Sequence, residues 1–293
     1  MHLMDGVLVA KTIKSDLLRE VAIKKATGIR VPHLAAILIG DHPASASYIK
    51  NKIKSCAETG YDSTLIAKSA TIEENELIDM VEGLNENSSI DGFIVQLPLP
   101  KHIDDNKILL CIEPRKDVDG FHPANVGRMV LGLPSYIPAT PFGILKLLEY
   151  YQIQTEGKHV VVVGRSNIVG TPISLLLSRK AYPGNATVTL CHSKSADLKE
   201  LCLQGDVLIA AIGMARFITR DMVKPGAVVI DVGMNQIVAP ETKKGYRLVG
   251  DVNFEEVAPI CSYITPVPGG VGPMTVCALL MNTWLAYTKK IYG

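Results

Sequence analysis

A tyrosine and a lysine stand four residues apart in a segment with a helical pattern. Tyr48 and Lys52 share one face of the helix predicted from Ser45 to Glu58, since residues four apart are neighbours on a helix surface. In a closed site, desolvation lowers the pKa of a lysine, which can then transfer a proton or stabilise negative charge. The pair predicts acid–base chemistry if a cleft encloses it, and otherwise a surface lysine beside an interfacial tyrosine.

Three more polar side chains stand where the chain turns. Gln96 lies in the strand predicted from Gly92 to Leu97, just before two prolines, at the strand end where open α/β sheets bind ligands. The same glutamine could instead cap a backbone turn. Asp117 and Asp119 lie in a predicted turn, where carboxylates can bind a metal, accept paired hydrogen bonds from an amide–amine edge such as a pterin's, or stay solvated.

The valine run from Val160 to Val163 leads into a glycine turn. The run fits a parallel strand buried on both faces, Gly164 allows a tight turn, and Pro172 suits a first helical residue because no N–H donor is needed there. Ser166 replaces the second glycine of the dinucleotide fingerprint, and Gly170 comes one residue late. The run predicts a variant dinucleotide site with a phosphate at the helix N-terminus, or a corner that binds nothing.

The residues after the next predicted strand bear on the choice of cofactor. An NAD site carries an acidic residue about 20 residues after the glycine turn, where it binds the ribose hydroxyl. This chain has His192, Ser193 and Lys194 at that place. Together with Arg165 in the turn, Ser193 and Lys194 can hold a 2′-phosphate, so NADP is predicted over NAD.

Hydrophobic periodicity predicts two α/β layers joined by a functional loop region rich in proline and glycine, from Pro98 to Pro138. The first layer comprises a helix from Leu8 to Lys25, a strand from Leu34 to Ile39, the helix from Ser45 ended by Gly60, a strand from Ser63 to Ala67, a helix from Glu73 to Leu84 and the strand from Gly92. The second comprises a linker helix capped by Thr140 with Pro141 first, the valine strand, and strands from Ala186 to Cys191, Val207 to Ile212 and Ala227 to Val232. A final helix is predicted from Met274 to Tyr292.

Bulk composition narrows the class of protein. With 293 residues, 47% of them apolar, the chain can bury two domain cores. A net charge of +1 with 20% charged residues predicts no nucleic-acid partner. Six cysteines without a Cys-x-x-Cys pair indicate reduced thiols, and the histidine spacing predicts no metal. No apolar run approaches the ~18 residues that span a bilayer, so no membrane association is expected and the location is expected to be cytoplasmic.

Five segments in order, covering nearly the whole chain, resemble the methylenetetrahydrofolate dehydrogenase/cyclohydrolase family, the bifunctional enzymes of one-carbon folate metabolism. They are Ser45-Ala46-Ser47-Tyr48-Ile49-Lys50-Asn51-Lys52, Gln96-Leu97-Pro98-Leu99-Pro100, Lys116-Asp117-Val118-Asp119-Gly120-Phe121, Gly164-Arg165-Ser166-Asn167-Ile168-Val169-Gly170 and Pro266-Val267-Pro268-Gly269-Gly270-Val271-Gly272-Pro273-Met274-Thr275. The last segment, stiff and poor in side chains, either brings backbone close to a flat ligand or links two domains.

The resemblance implies a role for each candidate residue. Lys52 is implied to be the central catalytic residue, with Tyr48 orienting the folate, Gln96 tuning the lysine and Asp119 holding the pterin. The other implied contacts are Pro268, Gly269 and Gly270 to the substrate, and Gly164, Arg165, Ser166, Ser193 and Met234 to NADP.

The resemblance also implies a two-domain α/β fold. Residues 1–139 are expected to form an N-terminal α/β catalytic domain completed by the C-terminal helix, residues 272–293. Residues 140–271 are expected to form a Rossmann-like, doubly wound NADP-binding domain, with the active cleft between the two. A homodimer is implied as well.

Two departures from the family pattern bear on these expectations. Ala139 stands where the family usually has a cysteine, so no thiol chemistry can be assigned there. Thr171 follows the glycine turn where a basic or small residue is often seen, and Met234 replaces a common isoleucine. Cofactor contacts are therefore expected to shift slightly at Thr171 and Met234.

The implied activity is NADP-dependent oxidation of 5,10-methylenetetrahydrofolate, followed by hydrolysis to 10-formyltetrahydrofolate, a one-carbon donor for purine biosynthesis. Two other classes remain open at the level of sequence. One is a dehydrogenase of the same build without the hydrolase step, against which Lys52 and Gln96 argue. The other is a catalytically silent NADP-binding sensor or scaffold, which the motifs in both halves make less favourable.

Overall fold

The computed structural model describes residues 1–242 and 245–292 and divides into two compact units. The six-stranded unit consists of residues 1–10 and 140–275. The three-stranded unit consists of residues 11–139 and 276–293. Each unit is therefore built from two separate stretches of chain.

Strands and helices alternate along most of the chain, which confirms the α/β class. The strands are β1 (His2–Leu3), β2 (His33–Ile39), β3 (Asp62–Lys68), β4 (Gly92–Val95), β5 (His159–Val163), β6 (Thr187–Cys191), β7 (Val207–Ala210), β8 (Val228–Asp231), β9 (Asn235–Val238), β10 (Tyr246–Val249) and β11 (Tyr263–Ile264). The helices are α1 (Gly6–Ala26), α2 (Pro43–Thr59), α3 (Glu74–Glu86), α4 (Asp105–Cys111), α5 (Pro123–Val130), α6 (Ala139–Tyr150), α7 (Gly170–Ser178), α8 (Leu198–Leu203), α9 (Phe254–Val257) and α10 (Val271–Tyr287).

The larger sheet has the order β6-β5-β7-β8-β11-β1, and every pair in it is parallel. The valines of β5 are fully buried, as a central parallel strand requires. The chain moves from β5 to β6 on one side and then returns to β7 on the other. This switch in direction leaves a crevice at the carboxyl ends of β5 and β7, where doubly wound sheets bind their ligands. The predicted doubly wound, Rossmann-like sheet is confirmed.

The start of the chain supplies the last strand of this sheet. His2 and Leu3 pair with Tyr263 and Ile264 of β11. Because of this pairing, the first ten residues belong to the six-stranded unit rather than, as expected from the sequence, to one domain with residues 11–139. The two-residue strand is too short to stand out as a pattern in the sequence.

The smaller sheet has the order β3-β2-β4 and is parallel throughout. Successive residues of β2 enter two different cores, since side chains alternate across a strand. Leu34, Ala36 and Leu38 pack with residues of α1, α2 and α10. Ala35, Ile37 and Ile39 pack with residues of α3 and α4 on the opposite face. The C-terminal helix thus completes the core of the three-stranded unit.

The structure differs from the sequence-based elements mainly at their ends. Strand β4 stops at Val95 rather than Leu97, since the prolines that follow cannot continue a ladder. Helix α6 begins at Ala139, so Thr140 lies inside the helix rather than capping it. Helix α7 begins at Gly170, which makes Pro172 its third residue rather than its first.

Short elements in the predicted loop region were missed. Helices α4 and α5 lie between the prolines and glycines of that region. Helix α4 is capped by Asp104, whose carboxylate accepts hydrogen bonds from the amides of Asn106 and Lys107. The antiparallel hairpin of β9 and β10 was also missed. Within the described residues, no helix combines the length and apolar character needed to cross a bilayer.

Candidate active site

The inner face of α2 is buried at helical spacing. This face carries Ser45, Ile49, Lys52, Cys56 and Thr59, and each is less than 9% exposed. Lys52 therefore occupies a core position of the helix, with only 5% of its surface exposed. Lysines are almost never fully buried unless they have partners. The alternative of a surface lysine is excluded.

Lys52 has partners from its own helix and from the end of a strand. Its Nζ donates a hydrogen bond to Oε1 of Gln96 at 3.3 Å and lies 4.6 Å from the centre of the Tyr48 ring. The Gln96 amide donates through Nε2 to the carbonyl of Leu97 at 2.8 Å. Because that bond fixes the amide, its oxygen faces the lysine. Gln96 thus bonds both the backbone that follows it and the lysine.

Electrostatics couple Lys52 to Asp119. Burial lowers the pKa of Lys52, and the nearby Asp119 carboxylate opposes that shift. Burial raises the pKa of Asp119, and the lysine in turn opposes it. A buried amine with a lowered pKa beside a carboxylate is a common arrangement for proton transfer. The structure thus brings Tyr48, Lys52, Gln96 and Asp119 together in the three-stranded unit.

The second carboxylate of the turn, Asp117, is occupied by the backbone. It is 1% exposed and accepts hydrogen bonds from the amides of Phe121 and His122 and from Nδ2 of Asn125. Asn125 also accepts a hydrogen bond from the hydroxyl of Tyr292. Asp117 therefore shapes the turn, whereas no such hydrogen bond is seen to the Asp119 carboxylate within the described residues.

Sequence reasoning missed a residue that anchors this turn. Asn282 of α10 is fully buried and donates through Nδ2 to the carbonyls of Val118 and Ile137, at 2.8 and 2.9 Å. The available signal was an asparagine in a long apolar helix, since a buried amide must find partners. Ala139, at the position where the family usually has cysteine, is buried and donates its amide to the carbonyl of Asp119.

In the six-stranded unit, glycines allow the turn from β5 into α7. Gly164 has φ of +117°, and a Cβ there would stand 2.1 Å from the carbonyl oxygen of Ala211. A Cβ on Gly170 would stand 1.8 Å from the carbonyl oxygen of Gly164. The two glycines thus serve the tight turn and the close helix–strand approach of a dinucleotide site. Ser166 accepts hydrogen bonds from the amides of Val169 and Gly170, which caps α7.

The predicted phosphate-binding residues share one edge of the larger sheet. Val163 of β5 pairs with Cys191 of β6, so Arg165 and Ser193 follow neighbouring strand ends. Both side chains are exposed. Met234 is also exposed and follows β8 at the same carboxyl edge. Thr171 is partly exposed, and its hydroxyl donates a hydrogen bond to the carbonyl of Arg165.

The residues of the proline–glycine run lie in the six-stranded unit. The peptide bond before Pro268 is cis, and Gly269 has φ of +109°. The carbonyl of Gly269 accepts hydrogen bonds from the amides of Gly6 and Val7, which fixes the run against the start of α1. A Cβ on Gly270 would stand 2.6 Å from the carbonyl oxygen of Pro266. The run is therefore a pinned backbone segment rather than a loose linker.

Family models match both halves of the chain. Residues 4–119 match the catalytic domain of tetrahydrofolate dehydrogenase/cyclohydrolase, and residues 138–291 match the NAD(P)-binding domain of the same family. The chain belongs to this family. The family resemblance inferred from the five segments is confirmed.

Relatives from bacteria match the chain from end to end. The bifunctional protein FolD of Azobacteroides pseudotrichonymphae is 55% identical over 293 residues, covering 100% of both chains. The FolD protein of Cytophaga hutchinsonii is 55% identical over 290 residues, covering 99% of this chain and 100% of its own. Family membership therefore extends across both units.

Solved structures of the family share the fold. The FolD methylenetetrahydrofolate dehydrogenase/cyclohydrolase of Campylobacter jejuni has a TM-score of 0.92, with 45% identity and 99% of both chains covered. The Trypanosoma brucei enzyme, solved with NADP cofactor and an inhibitor, has a TM-score of 0.93, with 36% identity over 99% of this chain and 98% of its own. Within the described part of this chain, no three histidine, cysteine, aspartate or glutamate side chains gather as a metal ion requires.

The buried Asp117 predicts a pH-dependent stability. Burial, only partly offset by its three hydrogen bonds, raises the pKa of Asp117 to about 7. The folded chain then binds a proton that the unfolded chain releases near pH 4. Stability is therefore present at low pH and falls as pH rises from about 4 to about 7.

Asp117→Asn keeps an acceptor for His122 and Asn125 without the charge. As pH rises from about 4 to about 7, the free energy of unfolding of the wild type should fall by up to about 4 kcal/mol because of this group. The variant should not show this fall. Urea unfolding at pH 4 and pH 8 measures it. The matched control is Asp79→Asn, since Asp79 is exposed on α3. Parallel pH curves for wild type and Asp117→Asn would contradict the titration of Asp117.

Proposed function

We propose that this protein oxidises 5,10-methylenetetrahydrofolate with NADP and hydrolyses the methenyl product to 10-formyltetrahydrofolate. The observation that carries the proposal is the enclosure of Lys52 by Tyr48, Gln96 and Asp119, in a chain that matches both domains of the family. A lysine buried with such partners serves chemistry rather than solubility. The bifunctional relatives support the same pair of reactions.

The turn after β5 fits a dinucleotide. Gly164 and Gly170 remove the two Cβ atoms that would collide with backbone, and the exposed Arg165 and Ser193 stand at adjoining strand ends. No acidic side chain stands in residues 192–194 to bind a free ribose hydroxyl. We assign Arg165 and Ser193 to a 2′-phosphate, Gly164 and Ser166 to the phosphates and Met234 to the cofactor's edge. The NADP-bound Trypanosoma brucei enzyme supports this choice of cofactor.

Bound NADP accepts a hydride from the methylene carbon, which leaves the methenyl cation. Binding of the folate and the proton transfers are assigned to side chains and backbone of this protein. Asp119 is assigned to the amide–amine edge of the pterin, where a carboxylate accepts two parallel hydrogen bonds. The cis-proline run, at Pro268, Gly269 and Gly270, is assigned to backbone contact with the folate. Its pinning to the start of α1 makes it a rigid contact.

Lys52 is assigned to the proton movements of hydrolysis. A water oxygen adds to the methenyl carbon and loses one proton. The resulting hydroxyl then loses its proton as the formyl C=O forms, the C–N5 bond breaks and N5 gains a proton, with net release of one proton. An amine whose pKa is lowered by burial can take the first proton and return it. Gln96 holds Nζ in place through its fixed amide oxygen, and Tyr48 flanks the ammonium with its ring.

The assignment of hydrolase activity separates this proposal from a pure dehydrogenase. A single spectrophotometric assay with methylenetetrahydrofolate and each of NADP and NAD tests it. The expected result is NADPH formation followed by loss of methenyl absorbance. Lasting methenyl absorbance would indicate a dehydrogenase alone, and no absorbance change would indicate a silent binding protein.

We also propose a homodimer in the cytoplasm that supplies 10-formyltetrahydrofolate for purine biosynthesis. Support for the dimer comes from β3, which is the edge strand of its sheet and exposes Leu65. An edge strand offers backbone donors and acceptors to a second chain. The location and the pathway rest on the family resemblance alone.

Replacing Lys52 by methionine keeps the apolar stem and removes the amine. We expect Lys52→Met to lower the rate of methenyltetrahydrofolate hydrolysis by at least about 100-fold, because proton transfer is lost. The dissociation constant for NADP should change less than about twofold. The wild-type rate should rise with pH through a pKa below the ordinary lysine value of about 10.4, because the neutral amine accepts the proton, and the variant should lack this limb.

The matched control for the lysine is Lys54→Met, two residues along the same helix. The Lys54 side chain is 75% exposed and lies 3.7 Å from Glu58. Lys54→Met should hydrolyse methenyltetrahydrofolate at a rate within about twofold of the wild type, since a surface ion pair contributes little to stability. Wild-type hydrolysis in Lys52→Met would refute the assigned role.

Arg165→Ala tests recognition of the 2′-phosphate. Loss of a charged hydrogen bond of about 1.5–3 kcal/mol should raise KM for NADP by about 10- to 100-fold, with KM for NAD nearly unchanged. Steady-state dehydrogenase kinetics with both cofactors measure it, with Arg220→Ala as the exposed arginine control. Equal losses for both cofactors would count against the assignment.

Leu65→Asp tests the proposed dimer. A charge on the edge strand should shift sedimentation from dimer to monomer at micromolar concentration, because pairing would bury an uncompensated carboxylate. Leu110→Asp is the control, since Leu110 is 60% exposed in the same unit. A wild type that sediments as a monomer would sink the dimer proposal.

A further inference from the structure

A fully buried carboxylate outside the assigned residues joins two loops of the six-stranded unit. Asp251 is 0% exposed. Its Oδ2 accepts hydrogen bonds from the amides of Ile212 and Gly213 at 2.7 and 2.9 Å, and its Oδ1 accepts one from Nδ2 of Asn235 at 2.9 Å. One side chain thus holds three donors that are distant in the sequence.

Both loops belong to the carboxyl edge of the large sheet. Ile212 and Gly213 follow β7, which pairs with β5. The carbonyl of Ala211, just before them, lies so near Gly164 that a Cβ on Gly164 would stand 2.1 Å from its oxygen. Asn235 directly follows Met234 after β8. Asp251 therefore fixes the segment behind the glycine turn and the segment that presents Met234. These segments flank the crevice where doubly wound sheets bind ligands.

Asp251 itself is held by a second carboxylate. Its amide donates to Oδ1 of Asp231 at 2.9 Å, and the amides of Gly233 and Val252 also bind Asp231. A Cβ on Gly250 would stand 1.7 Å from Oδ2 of Asp231. The Asp231 carboxylate thus binds the backbone of Asp251 and packs against Gly250. These contacts leave Asp251 little freedom to move.

The donors that Asp251 satisfies are costly to leave unpaired. The bonds to Ile212 and Gly213 are charge-assisted, and a buried amide without an acceptor costs about 1–3 kcal/mol. Without the carboxylate, the segment after β7 must rearrange to reach water or another acceptor. Any such shift moves the backbone that lies against Gly164.

We propose that Asp251 is a positioning residue for the dinucleotide site, acting through the segments after β7 and β8 rather than by touching the cofactor. The inference rests on the proposed function, because it takes the crevice at β5 and β7 as the NADP site. Asp251 should matter for cofactor binding and hydride transfer more than for hydrolysis, which consumes no dinucleotide.

The test compares the two activities in the full-length protein. Asp251→Ala should raise KM for NADP, because two buried amides lose their acceptor. The fold-change in KM should be at least about ten times the fold-change in the hydrolysis rate. Glu255→Ala, an exposed acidic residue four positions along, should change neither. Equal loss of both activities would mark a general structural role and overturn the proposal, as would an unchanged KM.

A second pair of variants guards against misfolding of Asp251→Ala. Asn235→Asp sets two carboxylates against each other and should weaken NADP binding at least about tenfold. Adding Asp251→Asn restores a donor–acceptor pair in the opposite sense, and affinity should return to within about threefold of the wild type. Failure of the double variant to recover, with its fold intact by circular dichroism, would overturn the positioning role.

The wild type separates this inference from the proposed function. A wild-type protein that binds no NADP would overturn both. A wild type that forms NADPH, together with variants that match it, would overturn the positioning role alone. NADP itself is the probe, measured by quenching of protein fluorescence.

Discussion

The burial of one ammonium group is the constraint around which the three-stranded unit is organised. A charge removed from water is unfavourable unless acceptors surround it, and Lys52 sits among core residues of α2. Gln96 from the end of β4, the ring of Tyr48 and the Asp119 carboxylate meet that requirement. These partners hold the amine at a defined place, while burial itself lowers its pKa.

Asp117, Asp119 and Asp251 differ in whether protein groups use their carboxylate oxygens. Asp117 and Asp251 are buried, and their oxygens are used by amides and asparagine side chains, which sets the shape of turns. Asp119 stays half-buried, and within the described residues no hydrogen bond to its carboxylate is seen. Neighbouring aspartates of one turn thus differ: Asp117 is tied to the backbone, and Asp119, which we propose binds the pterin, is not.

Much of this organisation was predictable, because burial follows the spacing of apolar residues. The valine run became β5, and the spacing of Tyr48 and Lys52 correctly placed them side by side. Long-range pairings were not predictable: Asp251 binds amides 38 and 39 residues away. Residue types and spacing alone did not separate Asp117 from Asp119, since the difference depends on where Asn125 lies in three dimensions, and only the family resemblance pointed to Asp119.

Neither unit is encoded by one unbroken stretch, and this affects how a nascent chain can acquire its structure. The core around β2 includes Leu279 and Leu280 of α10, which are synthesised more than 200 residues after β2. By contrast, every strand of the large sheet has been synthesised once Ile264 is added. Residues 11–139, which are translated before most of the large sheet, therefore keep an apolar face uncovered until α10 has been synthesised.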